Sequence, residues 1–150
     1  MALTCGLWWT YFASAKQKLD DALAGCTGNV QSKMARDTFS LIHFPMMCGI
    51  IAYAVAVEEI VAHPEEPLLL EGRLALALAL ILFVGGTALA IWRATSVLML
   101  PRIVAMGAAA LAIALLANVN PTVTLTIALV GIAIVGFFER SFVAESVEVQ

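Results

Sequence analysis

Apolar positions fall in four long runs separated by short polar joints. The runs are Phe39–Val57 (FSLIHFPMMCGIIAYAVAV), Leu74–Trp92 (LALALALILFVGGTALAIW), Ile103–Val119 (IVAMGAAALAIALLANV) and Val123–Phe138 (VTLTIALVGIAIVGFF). At ~1.5 Å per helical residue each covers about 24–28 Å, and a turn of flanking residues completes a hydrocarbon core of about 30 Å. The pattern predicts four membrane-spanning helices. The stretch LALALAL alternates with the period of a strand, but it alternates between two apolar residues and carries no inside/outside signal. Leu and Ala are strong helix formers, and a lone strand would leave its backbone unsatisfied in lipid.

A fifth segment, residues 1–15 (MALTCGLWWTYFASA), covers only about 22 Å as a helix. It has no basic leader, and it ends in an aromatic cluster, Trp8, Trp9, Tyr11 and Phe12, followed by Lys16 and Lys18. That is how a span meets a membrane interface. It reads as the second half of a helix, so the chain is expected to be the carboxy-terminal part of a longer protein. The joints are residues 16–38, a polar loop with the turn cluster AGCTGN at 24–29; residues 58–73; residues 93–102, where Pro101 opens the next helix; and NVNP at 118–121, a tight turn. Lys16–Leu23 is expected as a short amphipathic piece at the membrane surface. The fold expected is all-α: a single polytopic membrane helix bundle, residues 1–150, with four full spans and one partial span, closed by a tail at 139–150.

Composition agrees. Apolar residues make up 62% of the chain and mean hydropathy is +0.97, against ~45–50% apolar in soluble domains. A soluble fold of this size has too much surface to hide such an excess, which leaves the lipid bilayer as the main partner. A formal net charge of −3 without a basic stripe excludes nucleic acid. Cys5, Cys26 and Cys48 lie about twenty residues apart with no C-x-x-C, and are read as unpaired small apolar residues.

Charge sets the orientation. Lys16, Lys18, Lys33, Arg36, Arg93, Arg102 and Arg140 lie in alternate joints and the tail, while the opposite side carries Arg73 alone. The excess of basic residues places 16–38, 93–102 and 139–150 in the cytoplasm, and 58–73 and 118–122 outside. The acidic stretch VEEIVAHPEEP (57–67) is then an exported turn, with Pro64 breaking the helix and His63 biased away from helical dihedrals. Glu58 and Glu59 stand a turn and a half earlier, near the hydrocarbon edge. On a helical wheel Glu58 lies ~60° from His43, with Met47, Ile51 and Ala54 between and ~22 Å along the axis. His43, Glu58 and Glu59 are therefore candidate path residues, since intramembrane ionisable groups tend to mark function. The simpler reading makes them interfacial anchors. Pro45 leaves the Leu41 carbonyl without its helical partner, which places a polar spot beside His43. No ligand spacing argues for a metal, no cofactor is expected, and no catalytic motif is present, so the chain is not expected to be an enzyme. Small-xxx-small steps, Ala105/Ala109, Ala108/Ala112 and Gly86/Ala90, predict close helix packing within the chain or in a homo-oligomer.

Three motifs in order, LWWTYF (7–12), IHFPMMCGIIAYAVAVEE (42–59) and AHPEEPL (62–68), resemble the bacterial low temperature requirement A family. That family has a Trp-Trp-x-Tyr-Phe span end, a His-x-Pro opening a helix that closes on Glu, and often a His-Pro beyond. Here these are Trp8, Trp9, Tyr11 and Phe12, then His43 and Pro45, then His63 and Pro64. The family often has an acidic residue after Tyr-Phe, where this chain has Ala13. Over residues 7–68 the resemblance implies the carboxy-terminal portion of a longer multi-pass membrane protein, a missing amino-terminal transmembrane half among its partners, and a role in growth in the cold. It implies no particular reaction. Two functions follow as expectations: a structural or interaction protein of the membrane, or a component of an ion or small-solute pathway.

Overall fold

The computed structural model describes the backbone of residues 1–147 and the side chains of residues 1–12 and 15–137. Among these residues every element is helical. Helix α1 (Ala2–Thr10) passes through a π-helical turn (Tyr11–Ala15) into α2 (Lys16–Ala24). After a break at Gly25–Thr27, α3 (Gly28–Arg36) passes through a second π-helical turn (Asp37–Leu41) toward α4 (His43–Ala62). Then come α5 (Leu70–Thr95), α6 (Leu100–Leu115) and α7 (Pro121–Val147).

Residues 16–38, expected as a polar loop, are helical apart from that short break. The polar residues there (Lys, Gln, Asp, Ser, Arg) are tolerated in helices, and each flanking apolar segment supplies a helix already nucleated for them to extend. The expected tail at 139–150 begins inside α7; its side chains, Arg140 among them, lie outside the described residues, as do those of Ala13 and Phe138.

Two helices, Gly28–Ala62 and Leu70–Thr95, are long and apolar enough to cross a membrane by length and composition. Helix α6 and the stretch Pro121–Phe137 are shorter apolar helices. The sixteen residues of α6 rise only ~24 Å. Its run was expected to reach Val119, but the helix stops at Leu115, because Leu116 turns extended and Asn118 takes a left-handed φ of 56°. Asn accepts that conformation more readily than most residues.

The helices pack in the order α4, α5, α6, α7, α1, with α2 against α5. The α4–α5 contact is the most extensive, and Gly49 brings backbone to backbone there: a Cβ would lie 2.9 Å from the Phe83 nitrogen and 3.0 Å from the Ala79 oxygen. Gly86 and Ala90 face Met46 and Ile42 of α4 and its approach, and Ala109 meets Gly131 of α7, so these small-residue steps serve packing within the chain. Asp37 ties the segment leading into α4 to the end of α5. It accepts from Arg36 at 2.9 Å and from Arg93 at 3.1 Å. The two guanidiniums, Arg36 foremost, hold its carboxyl below the ordinary carboxylate range. Its contribution is therefore complete above the ordinary carboxylate value and lost as pH falls through the lowered one.

Around the apolar core, large apolar side chains also face outward and a few polar ones are buried. Phe44, Ile51, Val61, Val104 and Leu115 are exposed, while Thr10, Thr38, Thr87, Arg102 and Thr124 are buried.

Candidate functional site

The π-helical turn at Asp37–Leu41 sits shortly before Pro45. The Ile42 N–H reaches back five residues to the Asp37 carbonyl at 3.0 Å, and Pro45 has no N–H to offer Leu41. Wide turns of this kind recur at functional sites. Beside it, His43 meets Tyr11, which begins the other π-helical turn. Tyr11 Oη and His43 Nε2 lie 3.3 Å apart, and the rings stand edge to face at 5.7 Å. Phe39 stacks on His43 at 6.2 Å. His43 Nδ1 is buried with no hydrogen-bond partner among the described residues.

A second polar pair bridges the same two helices further along. Thr4 Oγ1 and Tyr53 Oη lie 2.9 Å apart. About seven residues along α1 and ten along α4 separate the pairs, roughly 10 Å and 15 Å of rise. Between them α1 and α4 diverge around a cleft of about 290 Å³ walled by Leu7, Trp8, Met46, Met47, Ile50 and Phe83. No Asp, Glu, Lys or Arg lines it. The cleft is the seam of the bundle, since α1 packs on α7 and α4 on α5, with no comparable backbone packing between α1 and α4.

The residues singled out in the sequence fall in different places. His43 is half-buried in the cleft. Glu58 is exposed and makes no hydrogen bond or ion pair among the described residues; on the line joining it to His43, Met47 borders the cleft, but Ile51 and Ala54 face outward, with Ile51 63% exposed. Glu59 instead ties α4 to α5: its Oε1 accepts from the Leu69 N–H at 2.7 Å, at the start of α5. Gly72 makes room for this, because a Cβ there would overlap the Glu59 carboxylate. His63 ends α4, its N–H on the Glu59 carbonyl at 2.9 Å, and Pro64 is exposed in the turn beyond. Trp8, Trp9 and Phe12 are exposed, with Trp8 stacked on Phe12. Free thiols remain at Cys5, Cys26 and Cys48.

Sequence reasoning missed four features. The register His43, Met46, Ile50, Tyr53 is helical in spacing, but its neighbours are equally apolar. Gly72 was legible only as a glycine inside a helical pattern. Arg73 was counted as a loop charge, yet its Nη1 donates to the Ala114 carbonyl at the end of α6 at 3.2 Å, a favourable place for a cation. Arg102 was likewise counted as a joint residue; it is 2% exposed and donates to Thr87 Oγ1 at 2.6 Å.

Gly72→Ala tests the Glu59 tie. Ala is the better helix former by ~1 kcal/mol, yet the variant should unfold at lower temperature in detergent, by about as much as Glu59→Ala. Removing a helix-start acceptor costs ~1–2 kcal/mol, and the double variant should add little to either single change. Independent, additive losses would show that the two positions act apart.

Neither a curated protein nor a solved structure matches the chain. The model of the bacterial low temperature requirement A protein family (LtrA) matches residues 1–137, from α1 into α7 and well beyond the motifs at 7–68, and the chain belongs to that family.

Proposed function

We propose that this protein is a multi-pass membrane protein serving growth at low temperature as a structural or interaction component of the bilayer, not as a catalyst. In this reading the helix carrying α4, together with α5, α6 and α7, crosses the membrane, and α1 crosses in part. Large apolar side chains facing outward and hydroxyls and a guanidinium facing inward support lipid as the solvent. Helix α6 is short, and the apolar residues Leu98, Met99 and Leu116 extend its reach at either end. The basic joints at 16–38 and 93–102 and the tail at 139–150 lie in the cytoplasm, and residues 58–73 and 118–122 outside. The chain should stay with the membrane pellet through carbonate and high salt. In a cysteine-free background, a cysteine at Glu66 should label with an impermeant thiol reagent on whole cells and one at Gly28 should not. The reverse labelling would overturn the orientation.

The observation that carries the non-conducting reading is the spacing of polar groups in the seam. Tyr11–His43 and Thr4–Tyr53 are separated by ~10–15 Å of apolar wall, which interrupts a hydrophilic route along this seam. The pathway reading draws on His43, Glu58 and Glu59, ionisable groups carried by the helix that crosses the membrane in this reading. Complementation at low temperature separates the two. His43→Ala and Glu58→Gln should both restore cold growth at normal protein level if the role is structural. Failure of both at normal protein level would favour the pathway.

A further inference from the structure

We infer that the α1–α4 cleft is a binding site for one acyl chain of a membrane phospholipid, which enters it sideways from the bilayer. The inference rests on the membrane reading above and adds a specific ligand to it.

Size and chemistry carry the inference. A space of about 290 Å³ is at the lower end of small-ligand pockets, which are mostly apolar with a few convergent polar groups. Water gains little here: an apolar cavity far smaller than this stays dry and takes up apolar molecules instead. An empty cleft would also forfeit dispersion contacts along its walls. The charge pattern of the lining selects the occupant. It holds no Asp, Glu, Lys or Arg, so it offers nothing to an ionic headgroup or a soluble anion. Its polar members, Thr4, Tyr11, His43 and Tyr53, are paired across the seam at two heights, and His43 Nδ1 at the Tyr11 end is the one buried polar atom among them without a partner, so the wall between the pairs is apolar. The mouth is flanked by exposed Trp8, Phe12, Met47 and Ile50. In a bilayer those residues put the opening among acyl chains. Two methionines, with flexible and polarisable side chains, let the wall adjust to a chain of variable shape.

The site differs from the general lipid-facing surface in one respect that can be measured. Ile50 lines the cleft, and its neighbour Ile51 points away from it. The full chain, purified in nonionic detergent doped with dioleoyl phosphatidylethanolamine, is examined by native mass spectrometry. Wild type and Ile51→Trp should each retain one lipid per chain through detergent exchange. Ile50→Trp, which fills the cleft, should reduce that occupancy at least tenfold. In parallel, a phosphatidylcholine carrying a diazirine on its acyl chain is activated with wild-type protein in vesicles. The label should concentrate on Met46, Met47 and Leu7 over Val55 and Ile51. That arm needs no variant, so misfolding of Ile50→Trp does not affect it. Equal retention by Ile50→Trp, no retained lipid in wild type, or even labelling over the outward face would each overturn the site and leave only annular lipid. Loss of the chain from carbonate-washed membranes would overturn the membrane reading itself, a separate result.

Discussion

Gly49→Val is expected to leave little folded protein, because it drives a side chain into backbone. The Cβ would sit 2.9 Å from the Phe83 nitrogen, 3.0 Å from the Ala79 oxygen and 3.2 Å from the Leu82 Cβ. Two of those three neighbours belong to the α5 backbone, which is held in its own hydrogen-bond ladder and cannot rotate away as a side chain would. Helices α4 and α5 must separate instead. That separation loosens Met46, 3% exposed, and Phe83, 7% exposed, across the main core. The effect should lie at or above the upper end of the ~1–3 kcal/mol that overpacking costs. The comparison is Gly107→Ala, where a Cβ meets nothing within 4 Å. That change should be neutral or stabilising by ~1 kcal/mol from helix propensity alone. Thermal unfolding in detergent, with protein level in the membrane fraction, reads both. A Gly49→Val protein as stable as wild type would show that the two helices do not pack through this glycine.

Thr87→Val should destabilise the protein although it keeps the shape and raises the hydropathy of the helix. Thr87 is fully buried; its hydroxyl donates to the Val84 carbonyl at 2.8 Å and accepts from Arg102 Nη2 at 2.6 Å. The substitution removes one acceptor from a guanidinium that water does not reach. A hydrogen bond to a charged group contributes ~1.5–3 kcal/mol, and leaving a buried donor unsatisfied carries the desolvation penalty besides. Interhelical hydrogen bonds inside bilayers measure less, at most ~1.7 kcal/mol, because alternative partners are found. Between these bounds, a loss of about 2 kcal/mol is expected. Thr126→Val is the control, since Thr126 bonds only within its own helix, to the Thr122 carbonyl; it should change stability by less than ~0.5 kcal/mol. If Thr87→Val matches that control, Arg102 draws its stabilisation from other contacts. A hydropathy argument predicts the opposite order for Thr87, so the experiment separates packing chemistry from composition.

The amino-acid sequence alone determined the helical class, the family and the polar breaks between helices. Each is a local or summed property. Runs of Leu and Ala favour helix by intrinsic propensity, and Pro101 and Pro121 start helices wherever the rest of the chain lies. It allowed a short amphipathic piece at Lys16–Leu23, where α2 runs, but read the rest of 16–38 as loop, because the polar residues of α3 (Gly28–Arg36) were equated with loop although nothing in them prevents a helix. It set both ends of α6 too late, at 103–119 against Leu100–Leu115, because apolarity continues past the point where the backbone turns at Leu116. The site was less legible still. Tyr11 with His43, Thr4 with Tyr53, Glu59 with Gly72 and Thr87 with Arg102 are 32, 49, 13 and 15 residues apart. In a soluble helix the polar face would have pointed to the buried side. Here α4 is apolar nearly all round, so Met46 and Ile50, which line the cleft, carry the same signal as Ile51 and Val55, which face outward. Only the packing of α4 on α5 through Gly49 decides which face turns toward α1, because that close approach fixes the rotation of α4 about its own axis.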